Sequence, residues 1–423
     1  MASTTLQTAL GTLWRMEAPK LIAQVARMTD DVSIAEELAQ DCFATALERW
    51  PLDGMPDNPA AWLMAAAKNR AIDHLRQRRL HAARHVEMAC ELEGAAVHDD
   101  PANDARLDDD IGDNLLRLVF VSCHPVLSAE SRVALTLRLL GGLTTEEIAR
   151  AFLQPESTIA QRIVRAKKTL AQKQVPFQVP RKNDLRERLE SVLEVIYLIF
   201  NEGYSASAGE DWMRPALCEE ALRLCRVLVG LMPREAEVHG LVALMELQAS
   251  RLTARCGPDR EAVLLEVQDR SRWDRLQIAR GLESLQRAVQ LGGGDGFYAL
   301  QAALAACHAR APRAADTDWN AIAALYARLV QVAPSPVVEL NRAVAVSRAL
   351  GPEAALPLVD ALAKESKLRD YPHLPAVRGD LMEKLGRAEE AGIEFKRAAA
   401  LTRNAREREQ MLARAMACES GTR

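Results

Sequence analysis

The sequence predicts an all-α protein built as two small helical units followed by a long array of helical repeats. Three observations carry this expectation. Apolar residues recur at three- and four-residue spacing along most of the chain, and few stretches read as strands. Aromatic residues make up only 4% of 423 residues while alanine and leucine abound, so the cores are expected to consist of small and γ-branched side chains that suit close-packed helices. Beyond residue 184 the chain is helical almost throughout, with glycine and proline breaks at the density of helix pairs, the pattern of an α-solenoid.

The length and an apolar fraction of 49% leave room for two to four compact domains and argue against extensive disorder. Eight cysteines, Cys42, Cys90, Cys123, Cys218, Cys225, Cys256, Cys307 and Cys418, form no C-x-x-C pair or other metal-ligand spacing, which fits a reduced cytoplasm. The start MASTTLQTALGTLW lacks the order of a signal peptide. The longest apolar patch, Val192 to Phe200, is interrupted by Glu194 and is half of a span, so no membrane segment is expected. Net charge is only −4, but residues 61–89 hold six Lys/Arg against two acids, and residues 87–113 hold ten acids against Arg106. Basic blocks alternate with an acidic connector.

The first unit, 10–86, begins with helices over 19–50, marked by Leu21, Ile22, Val25 and Met28 and then by Ile34, Leu38, Cys42 and Leu47. WPLDGMPDNP, 50–59, ends that run with three prolines and a glycine. Asn58 is a candidate N-cap for the next helix, with Pro59 in its first turn and Trp62, Leu63, Ala66, Ile72 and Leu75 inward. An acidic linker follows over 87–112, where DDPANDARLDDD has few large apolar residues.

The second unit, 113–174, reads as helical pieces over Leu115 to Ser122, Ser128 to Leu140, Thr144 to Phe152 and Glu156 to Gln172. In GLTTEEIARAFLQPESTIAQRIVRAKKTL, Thr144 and Glu147 form a capping box, and Ile148, Ala149 and Phe152 face inward. A turn at Leu153-Gln154-Pro155-Glu156 leads to a helix opened by Ser157 or Thr158, with Ile159 and Ile163 inside. This is a helix-turn-helix pattern. Its second helix would enter the major groove, with Ser157, Thr158, Ala160 and Gln161 at base edges and Arg162, Arg165, Lys167 and Lys168 on phosphates. Two packed helices with a solvated basic face are the simpler alternative.

With these motifs in hand, residues 10–175 resemble bacterial extracytoplasmic-function sigma factors. LSAESRVALTLRLLGGLTTEEIARAFLQPESTIAQRIVRAKKTL looks like region four, which binds the −35 promoter element, and AEELAQDCFATALERW is similar to the region-two helix that docks on RNA polymerase. PAAWLMAAAKNRAIDHLRQRR looks like the segment that opens and reads the −10 element. The resemblance implies core RNA polymerase (clamp helices and flap) and promoter DNA as partners. It places Glu37, Gln40 and Asp41 on the polymerase side, Asn69 and Asp73 on the −10 side, and Arg76, Arg78 and Arg79 on phosphates. The loop from Leu52 to Asn58 would receive a flipped base, and Trp62 is either a melting wedge or core.

Past residue 174 the chain continues where an ordinary member of the family would stop. FVSCHPVLS, YLIFNEGYSAS and DRSRWD resemble a subgroup whose extension is related to tetratricopeptide repeats, so 184–417 is expected to be a repeat domain that regulates in cis, with a peptide or protein as a candidate ligand. Gly379, Leu385, Gly386, Ala391, Phe395 and Ala398 mark its clearest repeat, and Val344, Gly351 and Leu356 a weaker one. FNEGY at 200–204 reads either as a hinge or contact, with Gly203 permitting a turn, or as a helix C-cap.

Neither Cys123-His124 nor His81 and His85 has the partners of a metal site. Glu202 with Asp269 or Asp274 has no nucleophile or cofactor motif, so neither an enzyme nor a cofactor is expected. A DNA-binding regulator with a repeat scaffold that never joins polymerase is the competing reading. The block 35–79 discriminates, because such a regulator has no need of it.

Overall fold

A computed structural model describes residues 2–89, 111–152, 154–205, 213–257, 263–402 and 405–420. Among them every regular element is a helix, and the chain divides into two compact units, Met1–Ile196 and Tyr197–Arg423. No helix of the described residues is long and apolar enough to cross a membrane.

The first unit opens with α1 (Ala2–Thr29), α2 (Val32–Asp53) and α3 (Pro59–Ala89). Helix α1 starts well before the expected residue 19 and carries Pro19 in its interior. Asp30 turns the chain with a positive φ of 52°, and Asp31 caps α2 by accepting from the amides of Ser33 at 2.7 Å and Ile34 at 3.2 Å. Proline does not stop α2 where the sequence suggested. Pro51 lies in its last turns, and the helix ends only at Gly54, whose φ of 83° is open to glycine. Asn58 does cap α3, accepting from the amide of Ala61 at 3.1 Å.

The inward faces differ from expectation in one consistent way. Helix α2 buries Val32, Ala35, Ala39, Cys42, Phe43 and Ala46, while Leu47 is exposed and Ile34 and Leu38 are half-buried. Helix α3 likewise buries Leu63, Ala67 and Ala71, leaving Ala66, Ile72 and Leu75 half-buried. Alanine seams let these helices approach closely, so the stripe of small residues marks the contact and the larger side chains flank it.

The unit continues with α4 (Ile111–Ser122), α5 (Ala129–Leu139), α6 (Thr145–Phe152) and α7 (Glu156–Gln172). Helix α1 packs against α2 and α3 on one side and against α4 and α5 on the other, and so joins the two parts of the unit. Of the expected linker, residues 87–89 belong to α3, and 90–110 lie outside the described residues.

Helix α8 (Lys182–Tyr204) carries the chain into the second unit. There follow α9 (Pro215–Leu231), α10 (Ala236–Ala249), α11 (Arg275–Gln290), α12 (Phe297–Arg310), α13 (Trp319–Val332), α14 (Pro336–Leu350), α15 (Pro352–Leu362), α16 (His373–Lys384), α17 (Ala388–Leu401) and α18 (Ala405–Ser420). From α9 onward each helix packs on its sequence neighbours, the arrangement of an α-solenoid. Helix α10 touches α9, α11 and α12 and is apolar all round, as a central helix must be.

The breaks at Pro233, Gly292 to Gly294, Pro312, Pro334 and Pro372 fall between helices as expected, and Pro258 lies outside the described residues. The chain also breaks near Gly203 as expected, α8 ending at Tyr204. Gly203 lies in the last turn, where a Cβ would stand 2.7 Å from the amide nitrogen of Cys218, so glycine serves close helix approach there as well. In the last expected repeat Gly379 lets Phe395 pack across α16, and Ala391, Phe395 and Ala398 are buried.

Candidate nucleic-acid and polymerase interface

The helix-turn-helix is built by α6 and α7 over α5. Thr144 and Glu147 bond reciprocally, the Thr144 amide donating to Oε2 at 2.8 Å and the Glu147 amide to Oγ1 at 3.1 Å, which fixes where α6 begins. Helix α7 begins at Glu156, one residue before Ser157, with Pro155 as a cap that offers no side-chain acceptor. Ile159, Ile163, Ala166 and Leu170 anchor its inner face. Its outer face presents Ser157, Thr158, Gln161, Arg165 and Lys168 to solvent, with Ala160 and Arg162 half-buried beside them. Leu153 of the turn lies outside the described residues.

On α3, Asn69, Asp73, Arg76, Arg78 and Arg79 are all exposed, and Asp73 pairs with Arg76 at 3.7 Å. Residues 52–58 before it are exposed apart from half-buried Pro56. Trp62 is half-buried, its ring edge-on to buried Trp50 at 5.4 Å, so it belongs to the packing between α2 and α3. Glu37, Gln40 and Asp41 form an exposed row on α2, with Asp41 also 3.5 Å from Arg70.

One residue that sequence reasoning missed ties these faces together. Glu36 sits on the buried stripe of α2 with its side chain 5% exposed. It accepts from Arg138 of α5 at 2.6 Å and from Lys167 of α7. Burial pushes its carboxyl up, but the Lys167 ammonium and the Arg138 guanidinium outweigh that and hold it below the usual carboxylate range. Lys167, assigned from sequence to phosphate, is thus engaged inside the protein. Further bonds cross the same seam: Trp14 Nε1 donates to the carbonyl of Gly142 at 3.0 Å, Arg15 pairs with Glu147 at 2.5 Å, and Asn114 donates to Gln24 at 2.8 Å. The one sequence clue was a lone acid within the apolar stripe of α2. Its partners lie more than a hundred residues away, beyond the reach of any local pattern.

The three acids considered for chemistry do structural work. Glu202 pairs with Arg214, Asp269 accepts from the Ser271 amide at 2.9 Å, and Asp274 caps α11. His124 Nδ1 accepts from the amide of Val126 at 3.1 Å. Among the described residues no three His, Cys, Asp or Glu side chains cluster as a metal site; the side chains of His81 and His85 lie outside them.

Comparison with known proteins follows this geometry. The profile of Sigma-70 region 2 matches residues 13–81, which span α1 to α3, and that of Sigma-70, region 4 matches residues 117–170, which span α4 to α7. The ECF RNA polymerase sigma factor SigK of Mycobacterium ulcerans (strain Agy99) is 31% identical over 143 residues, 33% of this chain and 71% of that one. The chain belongs to the ECF RNA polymerase sigma factor family. The probable ECF RNA polymerase sigma factor SigI of Mycobacterium tuberculosis is 27% identical over 168 residues, 39% of this chain and 56% of that protein.

These two relatives each match two fifths of this chain or less. An uncharacterized protein of Rhizobium meliloti (strain 1021) matches nearly all of it, being 42% identical over 401 residues, 92% of this chain and 91% of that one. The profile of a family of unknown function (DUF6596) matches residues 188–289, so this sigma factor joins its two family regions to a helical extension of a described but unexplained kind. The crystal structure of yeast Tom70 is similar over 94% of this chain and 81% of that chain, at 12% identity and a TM-score of 0.31.

Proposed function

We propose that the chain binds core RNA polymerase and directs initiation at two-part promoters, and that its second unit modulates that activity. The observation that carries the reading is the pairing of two outward faces on one unit. The acidic row Glu37, Gln40 and Asp41 is open on α2, and the polar and basic row Ser157, Thr158, Gln161, Arg165 and Lys168 is open on α7. A factor that only bound duplex would need the second alone.

In this reading α2 meets the clamp helices of polymerase and the α4–α7 part meets its flap. Asn69 and Asp73 read the −10 strand, and Arg76, Arg78 and Arg79 hold its phosphates. Ser157, Thr158, Ala160 and Gln161 read −35 base edges, and Arg162, Arg165, Lys167 and Lys168 hold phosphates, Lys167 once it leaves Glu36. The protein acts in the cytoplasm as a binding subunit, with no catalytic step of its own.

Run-off transcription with purified core polymerase tests this. The full chain is expected to co-elute with core in size-exclusion chromatography and to give a discrete transcript. Failure to co-elute overturns the reading in favour of a DNA-binding regulator. A chain ending after Gln174, which retains α1 to α7, is expected to lose transcription; equal rates would remove the second unit's modulating role.

A further inference from the structure

Within the second unit, α10, α12, α13 and α14 line a partly open cavity of about 300 Å³. That is the lower end of the ~300–1,000 Å³ in which proteins hold small organic ligands. Along α12, Gln301, Leu304 and His308 face it at helical spacing. Leu244, Gln248 and Arg251 stand on the α10 side, and Trp273 of DRSRWD closes one wall.

The charge around this space is one-sided. Among the described residues its wall includes no carboxylate. Arg251 lies near two further guanidiniums, those of Arg255 and Arg270, both held below the usual arginine value by burial and by Arg251 itself. Arg270 donates only to neutral groups, the carbonyls of His308 and Ala311 at 2.7 Å and Thr317 Oγ1 at 3.2 Å. Arg255 donates to the carbonyl of Tyr204. Among the described residues none of the three makes an ion pair. Asp316, the acid whose charge acts on Arg270, is bound by Arg313 at 2.8 Å. His308, beside this cluster, is pushed down to about 4 by burial and then by Arg251 and Arg270, so its ring is neutral.

Four of the side chains around the cavity are polar and mostly buried, Gln248, Gln301, His308 and Trp273, so the space is polar on one side and apolar on the other.

We propose that this cavity binds a small aromatic organic anion, a carboxylate or sulfonate, its acid group at Arg251 and its ring against Leu244 and Leu304. The aromatic walls Trp273, Phe297 and Tyr326 favour a flat guest over an aliphatic one. If the second unit modulates the first, this guest is the modulating signal. The binding test requires neither polymerase nor DNA, so the two readings fail separately.

The test titrates the full chain with anilinonaphthalenesulfonate and with its uncharged counterpart N-phenylnaphthylamine, following the fluorescence of each. One saturable site is expected for both, tighter for the sulfonate. Arg251→Gln should weaken the sulfonate about tenfold, the equivalent of one charge-assisted hydrogen bond, and leave the neutral probe unchanged. Ala305→Phe, which fills the cavity, should abolish both. If Ala305→Phe lowers the melting temperature, the Arg251→Gln comparison decides alone. Equal sulfonate affinity in the parent chain and Arg251→Gln overturns the proposal, as does a missing saturable phase.

Discussion

At the scale of single residues, the pair of charges on α7 divides into two kinds. Arg165 is free on the outer face and Lys167 is spent on Glu36. Replacing Arg165 by alanine should weaken duplex binding across all sequences and reduce the salt slope by about 0.9, since a phosphate cation acts by releasing counterions. Gln161→Ala should instead change preference at one or two −35 positions, and a promoter library read at two salt concentrations separates the outcomes. Glu36→Gln leaves Arg138 and Lys167 buried against a neutral amide, so the first unit should lose about 3 kcal/mol in urea unfolding. The pH dependence follows from the lowered carboxyl. Its folded value lies below the unfolded value of about 4.3, so its stabilisation is complete above that pH and is lost as pH falls through the folded value. The parent chain should therefore lose stability on the acid side more steeply than the Gln variant, which keeps only the lowered Glu130 and Glu147 among the described residues of this unit.

At the scale of elements, much was written locally. The capping box announced the start of α6, Asn58 that of α3, and α7 runs over the expected Glu156–Gln172, because caps and turns are decided by neighbours in sequence. Faces were harder to read. Alanine is nearly silent in a hydrophobicity pattern, so α2 and α3 seemed to turn Leu47 and Ile72 inward when Ala39 and Ala67 make the seams. Gly203 shows the same limit, since a glycine in sequence announces a turn as readily as a close crossing. Gly203→Ala separates the two. An exposed helical site would gain about 1 kcal/mol from alanine, but here the methyl meets the backbone of α9, and overpacking should destabilise the chain by ~1–3 kcal/mol in thermal or urea unfolding. A stabilised variant would contradict the close crossing.

At the scale of the whole molecule, the helical class, the order of parts and the repeat character were legible, whereas the contact of α1 with both halves of the first unit was not, because it depends on pairings across a linker. The thiols offer a global measurement. Cys42, Cys123, Cys218 and Cys225 are buried, and burial pushes Cys42 and Cys123 up to about 11 and Cys218 up to about 12. These three are expected to resist Ellman's reagent at pH 8 in the folded chain and to react at once in urea; rapid native reaction of all of them would contradict the packing. The last consequence concerns Lys167. Drawn inward onto buried Glu36, the Lys167 ammonium has to swing out before a phosphate can meet it, so the two acids are competitors, and competition is reciprocal. Whatever affinity DNA surrenders to free the lysine reappears as loosening of α2 from α7 when DNA is bound. On the proposed function, a −35 duplex should therefore speed amide hydrogen exchange in α2, and Glu36→Gln should remove that acceleration.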